Sequence, residues 1–298
     1  MARQMACEMS AHIAPRRPAA VDVRSARSWL FVPGDCGDRF AKAAASGADI
    51  VVCDLEDAVA AEVKEPARAE VAHRLGAGRA ACVRINAHGT PWHDADVSAL
   101  AGLPGLRAVM LPKAEDPRVL AELGDALGPD TPVVALVETA LGLHRAHDLA
   151  SVGCVTRLAF GSIDFALDIG AQDAPTPMLF ARSSLVVASR AARVAAPVDG
   201  VTVALDDPSL VEADAVTAAR LGFGGKLCIH PRQVSTVNAA FSPSEEEVRR
   251  ARRILDSTTD GAVARLDGQM VDRPVVEGAL AVLRRAGLEP APDDPRRS

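Results

Sequence analysis

Eight apolar runs separated by amphipathic stretches are the feature that most constrains how this chain of 298 residues can fold. Their apolar residues are continuous, as in strands buried on both faces, and do not alternate with polar ones. Strands of this kind belong to parallel sheets, in which each crossover is usually made by a helix. The runs cover residues 29–33, 50–54, 81–86, 107–113, 132–138, 157–161, 199–204 and 225–230, of which the seventh is the weakest.

The stretches between the runs predict helices over 37–46, 62–75, 178–195 and 208–221, with further helices from near Pro117 and Ala140. The third run is followed instead by a polar loop that contains His88, Thr90, Trp92 and His93. Eight such units over roughly 210 residues predict an α/β fold, a (β/α)8 TIM barrel, which typically takes about 250 residues. A doubly wound open sheet is the alternative. No G-x-G-x-x-G follows the first strand, which weakens the dinucleotide-binding version of that fold.

The ends of the chain predict extensions to this barrel. Residues 1–23 lack the apolar core of a secretory signal and are expected to form a disordered N-terminal extension, with the barrel over 24–240. Two further helices, a capped one after Pro243 and a last one over about 275–286, predict a C-terminal helical lid over 241–288. Residues 289–298 have the composition of a frayed tail.

Composition excludes several classes of function. The chain has 33 basic and 39 acidic residues, a net charge of −6 and 3% aromatic residues. Neither the basic face nor the aromatic platform of a nucleic-acid-binding protein is therefore expected. No run is long enough to span a membrane. The six cysteines form no C-x-x-C pair, which favours reduced, buried thiols in a cytoplasmic protein.

Polar residues collect where the predicted strands end, and in a TIM barrel these ends form the rim that carries the active site. The second run leads directly into Asp54, Glu56 and Asp57. Three carboxylates so close in sequence repel one another unless a cation or a basic group lies among them. A solvated turn with an acidic helix cap is the alternative interpretation of this run. The other strand ends supply Arg84, Lys113, Glu138, Asp164, Asp206, Asp207 and His230.

Simple exposure to water explains some of these strand-end residues, Lys113 and Asp206 among them. It explains Glu138 poorly, because the small, uncharged segment 139–142 follows it. Glu138 and Asp164 on neighbouring strands suit Mg²⁺, which takes one or two protein carboxylates and leaves other positions to water and substrate oxygens. Arg84 offers a planar guanidinium for a substrate carboxylate.

Eight motifs occur in order between residue 27 and about residue 286. They are RSxxFVPG at 27–34, DLEDAV at 54–59, RIN at 84–86, LPK at 111–113, ETA at 138–140, LGFxGKxxIHP at 221–231, FxPSxEEV at 241–248 and GxMVDxP at 268–274. Together they resemble the citrate lyase beta-subunit-like family of CoA-ester lyases, within the HpcH/HpaI aldolase/citrate lyase superfamily. The resemblance implies a TIM barrel, bound Mg²⁺ and a CoA thioester as substrate.

The same resemblance implies roles for individual residues. Glu138 and Asp164 are expected to be the metal ligands, and Arg84 and Glu138 to bind the substrate. Glu56 and Asp57 are expected to hold metal-bound water and Arg84. The chain departs from the family at residues 161–164, Gly-Ser-Ile-Asp, where an acid often stands just before the aspartate.

Asp272 corresponds by motif to an acid that family members supply from the lid of a neighbouring subunit, as in a homotrimer. This would make Asp272 a catalytic residue and a candidate base. A turn residue before Pro274 is the alternative interpretation, and the residues alone favour it.

Three activities are compatible with the resemblance. The first is a Mg²⁺-dependent lyase or synthase that cleaves or forms a 3-hydroxyacyl-CoA, such as citramalyl-, malyl- or citryl-CoA. Its retro-Claisen products would be a 2-oxo acid and acetyl-CoA, so its partners would be small molecules. The second is the beta subunit of an acyl-carrier-protein citrate lyase complex, and the third is a malyl-CoA thioesterase. A non-enzymatic scaffold is disfavoured, because it would not account for the carboxylates at the strand ends.

Overall fold

The computed structural model describes residues 21–257, 264–266 and 269–288. Its strands are β1 Ser28–Pro33, β2 Ile50–Asp54, β3 Ala81–Arg84, β4 Leu106–Leu111, β5 Val133–Val137, β6 Val155–Phe160, β7 Ala195–Asp199, β8 Gly225–Cys228, β9 Ala264–Leu266 and β10 Gln269–Val271. Its helices are α1 Gly37–Ala44, α2 Lys64–Gly76, α3 His93–Leu100, α4 Pro117–Leu127, α5 Ala140–His144, α6 Ala146–Ala150, α7 Ser162–Asp168, α8 Pro175–Ala191, α9 Pro208–Leu221, α10 Pro231–Ala240, α11 Glu245–Asp256 and α12 Arg273–Arg285. A 3-10 turn, Ala61–Val63, precedes α2.

Strands β1 to β8 form a closed parallel barrel in sequence order. Closure is made by β1, in which Trp29 pairs with Ile50 of β2 on one side and with Leu227 of β8 on the other. The predicted TIM barrel is therefore confirmed, and the open doubly wound sheet is excluded because this sheet has no edge.

Two apolar layers hold the barrel together. Alternate strand residues point inward and form one buried cluster, which includes Trp29, Val52, Met110, Leu136 and Val198. The residues between them point outward and pack against the helices in a larger cluster, which includes Leu30, Val83, Val109, Val137 and Leu158. Because both faces of every strand are covered, each strand body reads in the sequence as a continuous apolar run.

The N-terminal end of the barrel is closed by Arg157, which is fully buried. Its guanidinium donates to the carbonyl oxygens of Val23 at 3.1 Å, Ala26 at 2.7 Å and Ala196 at 2.7 Å. Its carbon Cζ lies 5.7 Å from the ring centre of Trp29. These contacts satisfy the buried guanidinium within the protein. In a TIM barrel the active site lies at the opposite rim, where the strands end.

The seventh strand differs from the prediction. It covers Ala195–Asp199 and ends where the predicted strand 199–204 begins, and the helix expected over 178–195 ends at Ala191. The alanine-rich sequence favours a helix, but Arg193 has a φ of 61° and breaks it. Pro197 then lies at an irregularity of the β6–β7 pairing, where its missing N–H is tolerated.

Three helices, α3, α7 and α10, were not predicted. Helix α3 begins at His93, inside the predicted polar loop, and helix α7 begins directly after Gly161. Neither has a side-chain cap to mark its start in the sequence. Helix α10 is capped by His230 together with Gln233 and has Pro231 in its first turn. The proline and glutamine are usual signals of a helix start, but histidine is an uncommon capping residue.

Helices α11 and α12 pack against each other around their own apolar cluster, formed by Ala251, Ile254, Leu255, Val271, Ala279 and Leu283. Helix α11 starts with a capping box in which Ser244 Oγ accepts from the N–H of Glu247. The boundaries at 24–240 and 241–288 remain predictions, and the tail 289–298 and residues 1–20 of the N-terminal extension lie outside the described residues. None of the described helices has the length and hydropathy needed to cross a membrane.

Candidate active site

Arg84 and Asp54 form the centre of a charged cluster at the C-terminal rim of the barrel. They are the last residues of β3 and β2, and the parallel register places them directly opposite each other. Arg84 Nε donates to Asp54 Oδ1 at 2.8 Å and Nη2 donates to Oδ2 at 2.5 Å. The guanidinium carbon also lies 4.9 Å from the ring centre of Phe31. This bidentate pair, held against an aromatic ring, fixes the plane of the guanidinium.

Asp54 also folds the acidic loop that follows β2. Its carboxylate accepts from the N–H of Glu56 at 2.9 Å and from the N–H of Ala58 at 3.2 Å. These bonds turn the chain so that the side chain of Glu56 returns to the rim. Asp57 stays 60% exposed, 3.7 Å from Arg84 Nη1.

Glu56 links the two cations of the cluster. Its Oε1 accepts from Lys113 Nζ at 2.8 Å, and its Oε2 lies 3.0 Å from Arg84 Nη1. The second contact lacks hydrogen-bonding geometry, so Oε2 is a buried oxygen without a hydrogen-bond donor. Burial raises the pKa of Glu56 above its usual value, and Arg84 and Lys113 offset part of this effect.

Lys113 follows β4 with a φ of 49°, a conformation that a residue with a side chain seldom adopts. The left-handed turn directs its backbone N–H to Glu138 Oε1 at 2.8 Å, and its Nζ lies 3.9 Å from the same oxygen. Backbone strain of this kind concentrates at functional sites. From the sequence, simple exposure to water at a strand end was enough to explain Lys113. The structure instead places it between Glu56 and Glu138.

Glu138 follows β5 and is 1% exposed. Burial raises the pKa of Glu138 to about 8; the nearby Glu56 and Asp164 add to the rise, and Lys113 opposes it. Gly161 makes room for this carboxylate, because a Cβ at position 161 would meet Glu138 Oε2. A buried acid in a space shaped around it, with two further acids nearby, is the environment in which a cation binds.

Asp164 lies beyond the strand end where it was predicted. Strand β6 stops at Phe160, and Asp164 is in the first turn of α7, partly exposed. Glu138 and Asp164 together are the residues that could hold a divalent cation. The described residues contain no group of three or more His, Cys, Asp or Glu side chains arranged around one point. Two carboxylates with open positions fit Mg²⁺, which usually retains several waters.

The remaining predicted site residue, Asp272, caps helix α12 by accepting from the N–H of Val275 at 3.3 Å. In the described part of the chain, no hydrogen bond or ion pair joins Asp272 to the cluster at the rim. Asp207 and His230 likewise cap helices α9 and α10, and Asp206 forms an exposed pair with Arg232. The cluster thus consists of Asp54, Glu56, Asp57, Arg84, Lys113, Glu138 and Asp164.

Asp54 and Lys113 are the members of the cluster to which the sequence assigned no role. Both were recognised as strand-end residues, but their partners were not. For Asp54 a sequence signal was available. Consecutive strands in a barrel are neighbours, and both Asp54 and Arg84 end their strands, so the two side chains are expected to lie next to each other. No sequence signal indicates the left-handed backbone of Lys113.

Comparison with known families gives two matches. Residues 27–231 match the HpcH/HpaI aldolase/citrate lyase family. Residues 202–288 match a family described as a carbon–carbon bond lyase of the TIM-barrel fold. The two matches together cover the barrel and helices α11 and α12.

Individual relatives match over most of their length. A citrate lyase subunit beta-like protein of Deinococcus radiodurans is 38% identical over 276 residues, 86% of this chain and 96% of the relative. A (3S)-malyl-CoA thioesterase of Cereibacter sphaeroides is 33% identical over 270 residues, 87% of this chain and 94% of the relative. The structure of protein CitE from Mycobacterium tuberculosis in complex with magnesium, acetoacetate and coenzyme A is 36% identical. It covers 89% of this chain and 100% of its own, with a TM-score of 0.77.

Proposed function

The chain belongs to the HpcH/HpaI aldolase/citrate lyase family of carbon–carbon lyases, and we propose that it cleaves or forms a 3-hydroxyacyl-CoA whose products are a 2-oxo acid and acetyl-CoA. The family expected from the eight motifs is confirmed. The relatives named for citrate and malyl-CoA chemistry, and the neighbour bound to magnesium, acetoacetate and coenzyme A, support this substrate class.

The observation that carries the proposal is the environment of Glu138. This buried carboxylate packs against Gly161, where a Cβ would collide with it, and the acids Glu56 and Asp164 lie near it. Among the described residues, Lys113 is the cation in contact with it, at 3.9 Å. In the proposed enzyme, Glu138 and Asp164 hold Mg²⁺. When bound, Mg²⁺ supplies Lewis-acid stabilisation of negative charge on the oxygens of the oxo acid.

The proposed cleavage is a retro-Claisen reaction. A base removes the proton of the 3-hydroxyl group, and the bond between carbons 2 and 3 breaks. The electron pair of that bond forms the enolate of acetyl-CoA, while the hydroxyl oxygen becomes the carbonyl oxygen of the 2-oxo acid. Protonation of the enolate carbon completes acetyl-CoA, and the reverse sequence is a condensation.

Arg84 is assigned to the carboxylate of the oxo acid. Two of its nitrogens are engaged by Asp54, which leaves Nη1, close to Glu56, to meet a ligand. Because Asp54 and Phe31 fix the guanidinium plane before substrate arrives, little reorganisation is needed on binding. Lys113 contributes a second positive charge on the other side of Glu56.

We assign the base to Asp272 of a neighbouring subunit in a homotrimer. Within its own chain Asp272 caps α12, and α12 packs on α11. Two exposed apolar residues on α7 and α8, Leu167 at 81% and Phe180 at 76% exposed, offer a surface on which another subunit could pack. A heterologous contact whose rotation closes after three subunits forms such a ring. The proposed location is the cytoplasm, since the five described cysteines are unpaired.

Hydrolysis is the second candidate activity, and the malyl-CoA thioesterase relative is the observation that favours it. The beta subunit of a citrate lyase complex is the third. Purified protein given malyl-, citramalyl- and citryl-CoA with Mg²⁺ separates the three. A lyase releases an oxo acid and acetyl-CoA, a thioesterase releases free CoA and a hydroxy acid, and a complex subunit acts on none of these thioesters alone.

The Glu138→Gln variant is the control for this assay. It keeps the shape of the side chain and removes its charge, so it should abolish cleavage and weaken Mg²⁺ binding at least ten-fold, about 1.4 kcal/mol. Absence of cleavage by the wild type with every thioester would refute the proposed lyase activity. Unchanged Mg²⁺ affinity in Glu138→Gln would show that the metal is held elsewhere.

A further inference from the structure

Lys64 is a buried lysine that touches the acidic loop from behind. It is 7% exposed, and its Nζ donates to the carbonyl oxygen of Leu55 at 2.7 Å and to that of Glu56 at 2.6 Å. The same Nζ lies 5.2 Å from the ring centre of Trp92. One ammonium therefore holds the two consecutive peptides from which the side chain of Glu56 projects toward the rim.

The position of Lys64 is locally unfavourable. It is the first residue of α2, and the positive end of a helix dipole disfavours a cation there. Burial also lowers the pKa of Lys64, although Asp54 and Glu56 offset part of this effect. The unfavourable helix dipole and the burial of the ammonium must therefore be offset by favourable contacts. Those contacts are the two hydrogen bonds to carbonyl oxygens of the acidic loop.

The choice of lysine is itself informative. The chain has 33 basic residues, and only four of them are lysines: Lys42, Lys64, Lys113 and Lys226. Arginine is thus the usual basic residue of this chain. A compact ammonium with three donors can converge on two adjacent carbonyl oxygens, whereas the planar guanidinium of arginine spreads its donors, as Arg157 does over carbonyl oxygens of separate segments. A lysine at position 64 therefore suits two neighbouring carbonyl oxygens of one loop.

We propose that Lys64 is a positioning residue, which acts on the reaction by holding Glu56 in place against Lys113 and Arg84. The inference rests on the proposed function, since it concerns the same rim. Lys64 has no described contact with the side chains of Glu138, Asp164 or Arg84, so its effect passes through the loop. Without Lys64, Asp54 still accepts hydrogen bonds from the N–H groups of Glu56 and Ala58. The carbonyl oxygens of the loop, however, lose the donor that holds them.

The test is a double-mutant cycle on kcat with Lys64→Met, Glu56→Gln and the combined variant. Lys64→Met keeps the length of the side chain and removes its charge and donors. It should lower kcat about ten-fold or more, because a displacement of about 1 Å in a catalytic group costs that much or more. If Lys64 acts through Glu56, the combined variant should match Glu56→Gln within two-fold. Affinity for CoA, measured by calorimetry, should change less than two-fold in Lys64→Met.

Lys226→Met is the matched control. Lys226 is also buried, and its Nζ donates to the carbonyl oxygen of Gly200 at 2.7 Å and to Asp199. Its removal should lower the melting temperature without a specific loss of kcat per folded molecule, and its effect should multiply with that of Glu56→Gln. If Lys64→Met is recovered unfolded, Lys64→Gln takes its place in the cycle.

Two results would overturn the inference. One is a kcat of Lys64→Met within two-fold of the wild type, and the other is losses that multiply in the combined variant. If the wild type cleaves no thioester, the proposed function has failed on its own. A crystal structure of Lys64→Met then still tests the inference, which requires that the 2.8 Å contact between Glu56 and Lys113 is lost.

Discussion

At the scale of single residues, the pairing of Arg84 with Asp54 fixes the orientation of the guanidinium at the rim. The guanidinium is held by two bonds to one carboxylate and faces a second carboxylate, Glu56. It is therefore oriented by its neighbours before any ligand binds. This orientation depends on a planar group with several donors, and charge alone does not supply it.

The variant Arg84→Lys tests this dependence. A lysine keeps the charge but cannot bond Asp54 twice and also reach Glu56. Loss of this fixed orientation should misplace the positive charge that meets the substrate carboxylate and reduce kcat/KM about a hundred-fold. Arg118→Lys, at an exposed pair with Asp116, is the control and should behave like the wild type. Near-normal kcat/KM in Arg84→Lys would limit Arg84 to a structural role.

Gly161 offers a second test at this scale. A Cβ at position 161 would lie 2.6 Å from Glu138 Cβ, a separation that real side chains do not show. Gly161→Ala should therefore displace the Glu138 carboxylate and reduce Mg²⁺ affinity and kcat at least ten-fold, with a stability loss of about 1–3 kcal/mol. Gly153→Ala, where a Cβ would meet nothing within 4 Å, is the matched control. Equal behaviour of the two variants would show that the space around Glu138 is not critical.

At the scale of elements, a buried ionic network fastens β7 and β8 to α8 behind the barrel wall. Asp199 accepts from Arg182 at 2.8 Å and from Lys226 at 3.0 Å, and both Asp199 and Lys226 are 1% exposed. Burial alone would raise the pKa of Asp199, but Lys226 and Arg182 outweigh it and hold that pKa below its ordinary value. The network thus joins β7, whose pairing with β6 is irregular, to two of its neighbouring elements.

The lowered pKa of Asp199 predicts a pH dependence of stability. A carboxylate whose pKa is lowered by folding stabilises the protein above its unfolded pKa, about 3.9, and this contribution is lost as the pH falls through the folded value. At pH 7, Asp199→Asn should cost about 3 kcal/mol in the free energy of unfolding, because it leaves buried cations unpaired. The difference from the wild type should narrow as the pH falls below about 4. Urea titrations between neutral and acidic pH measure this, and a difference that stays constant would contradict the assignment.

At the scale of the whole molecule, the question is whether one chain contains the complete active site. The barrel brings seven charged residues to one rim, whereas Asp272 is on the C-terminal helices and caps α12. Keeping an enolate away from bulk water favours a lid over that rim. A lid from a neighbouring subunit, as proposed above, would complete the site only in the oligomer.

Mixing two inactive variants tests this arrangement. Asp272→Asn has an intact rim, and Glu138→Gln has an intact Asp272. In mixed homotrimers some sites combine an intact rim with an intact lid, so a substantial part of the wild-type activity should return, up to about a quarter for random exchange. The matched control mixes Glu138→Gln with Arg84→Lys, which damage the same rim and should not complement. If subunit exchange is demonstrated and no activity returns, Asp272 acts within its own chain or has no catalytic role.

The sequence by itself determined the architecture and the family. Continuous apolar runs mark strands buried on both faces, and eight of them with helical connections have few ways to pack other than a closed barrel. The ends of the strands can be located in the sequence as well, because each buried apolar run stops where polar residues begin. The sequence alone therefore places Asp54, Glu56, Arg84, Lys113 and Glu138 at strand ends.

Only the tertiary structure decided how these residues pair. Arg84 bonds Asp54 across 30 positions of sequence and Lys113 bonds Glu56 across 57, and such contacts depend on strand register and barrel closure. Helix α3 and strand β7 were misjudged because packing overrode weak or opposite local propensities. Lys64 carried no sequence signal at all, since its partners are backbone carbonyl groups. Local patterns encode which segments are buried, but the identity of a charged residue's partner is set by the geometry of the folded chain.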